Sequence, residues 1–180
     1  MRRSLEDTWR LLESQHADVP RHPDGRPLIR DRMPTVYDEE PLGFSYFRSG
    51  LEDDDRSHLT MPRTLFSRSW LVRTSFAGTD LSESCMCWND FDGCDFSGAD
   101  LSGCDMRASH FRGCRFAGAV LRGADLRRSS FEGCDFAGAD MAGAVAEDED
   151  LDGCIHDFLS PEQQAVMALS PDEGPEPPGG

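Results

Sequence analysis

The chain has 180 residues, enough for one domain with a buried core. It carries a net charge of −16 without a single lysine, and no run approaches the about 20 apolar residues that a transmembrane helix needs. A basic nucleic-acid binder and a helix-anchored membrane protein are therefore excluded on composition. The acidity is uneven: residues 1–60 carry nine Arg against thirteen acids, residues 61–146 nine against eleven, and residues 147–180 none against ten.

Met1-Arg2-Arg3 is basic but runs into Leu5-Glu6-Asp7 rather than an apolar stretch, which does not read as a secretory signal; the cytoplasm is the expected location. Ser4 caps a helix expected over roughly residues 5–16, with Asp7 three residues on and Leu5, Trp9, Leu12 and His16 on one face. Residues 18–35 hold four prolines and three acids and read as a linker without a core of its own. Leu42 to Phe47 is an apolar patch expected to pack on the first coil of a repeat that begins at Thr64. Glu52 to Arg56 reads as a solvated charge run.

From Phe66 to Ala146 every fifth residue is apolar, and two residues before each stands something small or at most Asn. A helix repeats near 3.6 and a strand at 2, so a period of five belongs to neither. A second period lies over the first. Phe76, Phe96, Phe116 and Phe136 share one column at intervals of twenty, and Leu71, Phe91, Phe111 and Phe131 share another. Four five-residue sides per turn make a square solenoid whose coils stack about 4.8 Å apart. Each side sends one large and one small residue inward.

Cys94-Asp95-Phe96-Ser97-Gly98, Ala99-Asp100-Leu101-Ser102-Gly103 and Cys134-Asp135-Phe136-Ala137-Gly138 have the form small, Asp, Leu or Phe, polar, Gly. In this the chain resembles the pentapeptide-repeat family over about half its length. The resemblance implies an all-β solenoid, a right-handed quadrilateral β-helix. It also implies one specific role, because some members are dimeric rods that resemble duplex DNA and bind DNA gyrase or topoisomerase IV.

The repeat weakens where Glu149 replaces the small partner of Leu151, although Cys154 keeps its column. Ser160-Pro161-Glu162-Gln163 then reads as a capping box, opening a helix of about two turns with Val166, Met167 and Leu169 as its apolar face. The expected organisation is an N-terminal helix and capping segment over 1–62, the β-helix over 63–158, a C-terminal capping helix over 159–170 and a disordered acidic Pro/Gly tail over 171–180.

Most cysteines fall on small inward positions and are expected as packing, not disulfides. Cys85 and Cys87 flank inward Met86, so both are expected to face outward as exposed thiols. A thiolate–imidazole metal site can be drawn from them with Asp105, Asp90 and His110, but a lone Cys-x-Cys lacks the paired spacing of structural zinc sites, and no metal is expected. His110 over Asp90 is half a catalytic dyad with no nucleophile placed to complete it, so an ion pair is expected there. No phosphate loop appears, and neither a cofactor nor an enzymatic activity is expected.

What remains is a surface. Asp105, Asp125, Arg107, Arg127 and Arg128 form ladders of alternating sign on one side; Asp80, Asp100 and Asp140 run up an adjacent one. The expected function is a non-enzymatic protein–protein interaction module presenting these flat faces to an unidentified protein. The competing reading, mimicry of DNA toward a type II topoisomerase, needs phosphate-like acidity along the rod. Residues 61–146 sum only to −2, and six of their Arg lie between 107 and 128. A homodimer through the C-terminal end is expected if the last helix leaves Val166, Met167 or Leu169 uncovered.

Overall fold

The computed structural model describes residues 1–15, 23–25, 32–35, 37, 43–146 and 155–167. The apolar fives build a four-sided parallel β-solenoid. Two sides carry short strands: β1 (Ser45–Phe47) pairs with β3 (Leu65–Ser67), and β2 (Gly50–Glu52), β4 (Trp70–Val72), β5 (Asp90–Asp92), β6 (His110–Arg112) and β7 (Ser130–Glu132) stack in that order. Every pairing is parallel and in a register of twenty, as in Leu71↔Phe91↔Phe111↔Phe131. The other two sides are held by single bridges in the same register, such as Ser75↔Asp95↔Arg115↔Asp135 and Asp80↔Asp100↔Val120↔Asp140.

The period of twenty dictates the core. Each inward ring lands on its equivalent one coil away, so Phe76, Phe96, Phe116 and Phe136 stack with centroids 5.3, 5.0 and 4.7 Å apart. Phe91, Phe111 and Phe131 form a second ladder at 4.7 and 5.0 Å, and the two ladders meet edge to face, as at Phe111–Phe116, 5.6 Å. Cys94, Ala99, Cys104, Cys114, Ala119 and Ala124 fill the remaining space and are buried. One small column is polar and supplies its own hydrogen bonds between coils: Ser69 N donates to Asn89 Oδ1 at 2.9 Å, Asn89 N to Ser109 Oγ at 3.0 Å and Ser109 N to Ser129 Oγ at 3.2 Å. Among the described residues the cysteines are free thiols, as the parallel stacking predicts.

The chain turns each corner through a residue of positive φ, which removes the steric objection only for Gly. Gly98 and Gly118 serve at +63° and +65°, but Arg68, Trp88, Ala108 and Arg128 hold the same conformation at +53° to +61°.

Pairing reaches back further than the apolar spacing suggested, because residues 43–62 already form a coil. Ser45 pairs with Leu65, Gly50 with Trp70 and Asp55 bridges Ser75. The charge run is accordingly part of a coil: Glu52, Asp53 and Asp55 are solvated as expected, but its last residue is not. Arg56 is buried in the Phe76 column, its guanidinium 2.6 Å from Asp54 and 2.5 Å from Gln15 Oε1. Helix α1 (Leu5–Glu13) closes this end, capped by Ser4 accepting from Asp7 N at 3.1 Å. It buries Trp9 and Leu12, and the Trp9 ring lies 4.8 Å from Phe44.

At the opposite end a 3-10 turn (Ile155–Phe158) precedes α2 (Pro161–Gln164), one turn instead of two. The capping box forms as expected, and Gln163 Nε2 also donates to Phe136 O at 2.8 Å and Ala139 O at 3.0 Å, tying the cap to the last coil. Ile155 and Leu159 are buried, Met167 packs on the core and Val166 is exposed. Most of the linker, Leu42, Glu149, Leu151, Cys154, Leu169 and the tail lie outside the described residues, as does the far end of the first expected helix.

Candidate functional site

The solenoid converts sequence spacing into adjacency, so each predicted site residue can be placed by its column. Asp80, Asp100 and Asp140 stand in one line and are half-buried. Each carboxylate accepts the amide two residues on, from Ser82, Ser102 and Ala142 at 3.1 to 3.2 Å, which fixes the next turn. Asp140 also meets Arg122 at 2.6 Å. On the neighbouring side Arg107 and Arg127 fold back onto Asp105 and Asp125, both at 2.7 Å, and Arg107 reaches Asp125 at 3.6 Å. The Asp105–Asp125 ladder is thus neutralised within the protein, whereas among the described residues Asp100 meets Ser102 alone and Asp80 has Arg2 only at 3.7 Å.

Cys85 and Cys87 point away from the core, as alternation along an extended segment requires. They are not exposed, however: their relative exposures are 1% and 3%. This corrects the expectation of accessible thiols. They pack with Leu65 and line a cleft of about 580 Å³ whose other wall includes Met33, Pro34, Thr35 and Tyr37, so the segment before the first coil overlies them. The sulfurs are 3.7 Å apart, and Cys87 Sγ lies 3.4 Å from Asp105 O. The Cys85 thiol is drawn below its ordinary value by its hydrogen-bonding contact with Cys87, and Cys87 is pushed up by the same contact and by burial. Burial works against ionised Asp105, but hydrogen bonds from Arg107 and Cys87 overcome it and hold the carboxyl below its usual range. Ser67 Oγ, one coil below Cys87 in the same outward column, is fully buried without a hydrogen-bond partner among the described residues.

His110 sits over Asp90 in register, but the expected ion pair does not form; its Nδ1 meets Ser130 Oγ at 2.7 Å instead. Ser130, one coil above in the same column, is the hydroxyl that spacing alone could have supplied. The pair stands on a flat, exposed strand face. Among the described residues, a nucleophile there has neither a third group orienting the imidazole nor an enclosed substrate site.

The residues that the ladder reading missed are aromatic. Phe47, Trp70 and Trp88 are 44%, 55% and 61% exposed, and Tyr37 at the cleft is more so. By register Phe47, Trp88 and Trp70 fall on or beside one corner edge that runs along the rod, whose column reads Arg48, Arg68, Trp88, Ala108 and Arg128. Arg48 lies 5.2 Å over the Phe47 ring. Trp70 lies down over Gly50, where any Cβ would collide with its ring. Trp88 holds a left-handed backbone, a strained choice for a bulky residue, while its side chain remains mostly in solvent. Large rings on outward positions of an otherwise polar repeat were the available signal.

No curated protein matches the chain in sequence. A pentapeptide repeat protein from the thylakoid lumen of Arabidopsis thaliana is similar in structure: 30% identity, 56% of this chain, 69% of that chain and a TM-score of 0.51. QnrB1, described as a plasmid-mediated fluoroquinolone resistance protein, aligns over 72% of this chain and 93% of its own at 16% identity, with a TM-score of 0.32. Rfr23 from the cyanobacterium Cyanothece 51142 aligns at 16% identity over 53% and 82%, with a TM-score of 0.31. The family model for pentapeptide repeats matches residues 63–98, 90–128 and 114–155. Those stretches together span more than half of the chain and coincide with the stacked coils, so the protein belongs to the pentapeptide-repeat family.

Proposed function

We propose that this protein is a non-enzymatic interaction module whose contact surface is the corner formed by Phe47, Trp70 and Trp88 with Arg48, Arg68 and Arg128. The observation that carries this reading is the exposure of three large rings along one corner edge of a largely polar rod. Trp, Tyr and Arg dominate the energetics of protein interfaces because they offer large area and directional contacts at low entropic cost. The complementary partner presents acidic groups around apolar recesses.

The competing reading assigns contact to the acid ladders and a type II topoisomerase as partner. Its weakness is that Asp105, Asp125 and Asp140 are bound to Arg of the same rod. Affinity capture from the host lysate separates the two. The full chain, a Trp70→Ala/Trp88→Ala variant and an Asp80→Asn/Asp100→Asn/Asp140→Asn variant are compared. A partner lost only with the Trp variant supports the corner. Capture of gyrase or topoisomerase IV, lost only with the Asn variant, would replace the corner reading with mimicry.

A further inference from the structure

We infer that Cys85, Cys87 and Asp105 form a zinc-binding site, in a cleft that Trp88 and Arg128 of the corner surface also line. Three potential ligand atoms, two sulfurs and one carboxylate oxygen, lie within 4.8 Å of one another. The fold brings them together by two different rules. Cys85 and Cys87 are i and i+2 on an extended segment and share a face; Asp105 is the bridge partner of Cys85 in the next coil. Neither spacing resembles a zinc motif in one dimension, because the third ligand arrives through the register of twenty.

The sulfur separation favours a metal. Tetrahedral zinc about 2.3 Å from each of two thiolates holds them about 3.8 Å apart. The sulfurs here are 3.7 Å apart before any ion enters. The donor set suits a borderline-soft cation, with two thiolates and one carboxylate. Charge is also balanced: two thiolates, one carboxylate and a dication leave a single negative charge, and the Arg107 guanidinium at 2.7 Å from Asp105 offsets it. Arg107 thereby orients the carboxylate in the manner of the groups that surround protein metal sites.

Burial of both thiols does not close the site, because all three ligands line the cleft beneath Met33–Thr35 and Tyr37. A fourth coordination position is left to water or to a ligand from the cleft. Ser67 Oγ, buried beside the pair without a partner among the described residues, is an unfilled polar group in the same outward column. Binding releases the thiol protons, so affinity rises with pH.

The test uses the reduced full-length chain and zinc alone, titrated against a chromogenic chelator, with cobalt(II) as a spectroscopic probe. One zinc per chain is expected, together with a sulfur-to-cobalt charge-transfer band. Cys85→Ser/Cys87→Ser abolishes both signals. Asp105→Asn weakens zinc at least tenfold, about the lower end of what a lost supporting contact costs. Cys134→Ser, on a half-buried sulfur of the inward column, leaves both unchanged. Melting curves confirm that each variant is folded, and the cobalt band of the unaltered chain reports thiolate ligation without any substitution. Absence of zinc uptake in the micromolar range overturns the assignment. So does uptake that survives the double Ser variant, that is lost with Cys134→Ser, or that is indifferent to Asp105→Asn.

Discussion

Replacing Phe116 by Ala tests whether the stacked rings stabilise the solenoid beyond the area they bury. Phe116 is fully buried between Phe96 at 5.0 Å and Phe136 at 4.7 Å, and meets Phe111 and Phe131 edge to face at 5.6 and 6.4 Å. Phe76, equally buried in the same column, has two such neighbours: Phe96 at 5.3 Å and Phe66 at 5.7 Å. Removing either ring costs about 3–5 kcal/mol through lost transfer energy and the cavity left behind. Each aromatic pair adds roughly 0.5–1.5 kcal/mol, so two further pairs make Phe116→Ala about 1–3 kcal/mol more damaging than Phe76→Ala. Urea unfolding of the two variants, followed by far-UV circular dichroism, measures it. Equal losses would refute the reasoning, leaving the rings as space-filling alone.

Other consequences can be measured on the same protein. Gly98→Ala, at φ +63° with open space around the new methyl, should cost about 1 kcal/mol from backbone strain alone. Ala108→Gly, at φ +54°, should gain roughly 0.5 kcal/mol; urea midpoints read both. Gln163→Ala removes two bonds to the last coil and half of a capping box, and should cost about 1–2 kcal/mol. Amide exchange should then accelerate at Ala139 and Ala144 and stay unchanged at Phe96. The Arg122 guanidinium holds the Asp140 carboxyl below its ordinary range. A depressed folded value means stabilisation present above the unfolded pKa of about 3.9 and lost as pH falls through the folded one. Melting temperature should therefore drop on acidification below about pH 4, and less steeply for Asp140→Asn.

The core was readable because its physics is periodic. Phe76, Phe96 and Phe116 repeat at twenty, and that interval forces stacking whatever the surface carries. The first coil escaped notice because Arg56 occupies a Phe position and Glu52 to Asp55 surround it with charge, although Tyr46, Leu51 and Met61 keep the spacing. Asp54 within the run and Gln15 from outside the repeat together explain how a guanidinium is tolerated there. The thiols failed for a similar reason. Alternation gives the direction in which Cys85 and Cys87 point, but nothing periodic reveals that Met33–Thr35 and Tyr37 lie over them. Asp105 over Cys85 is read by adding twenty, and Ser130 beside His110 is legible by the same step.

The buried guanidinium at the base of the Phe ladder gives the rod a direction of growth. A solenoid built of identical shelves invites another copy to stack on its ends, and filaments form when both ends accept one. At the N-terminal end a newcomer that displaced α1 would set a ring against the Arg56 charge, stripped of Gln15 and left with Asp54. That end is closed to polymerisation by chemistry as well as by cover. Among the described residues the opposite end is covered by the 3-10 turn and one helical turn, tied down through Gln163 and through Gly143 N donating to Val166 O at 2.7 Å. Damage to that turn would leave a particle able to pair only once, head to head, instead of a seed for fibres.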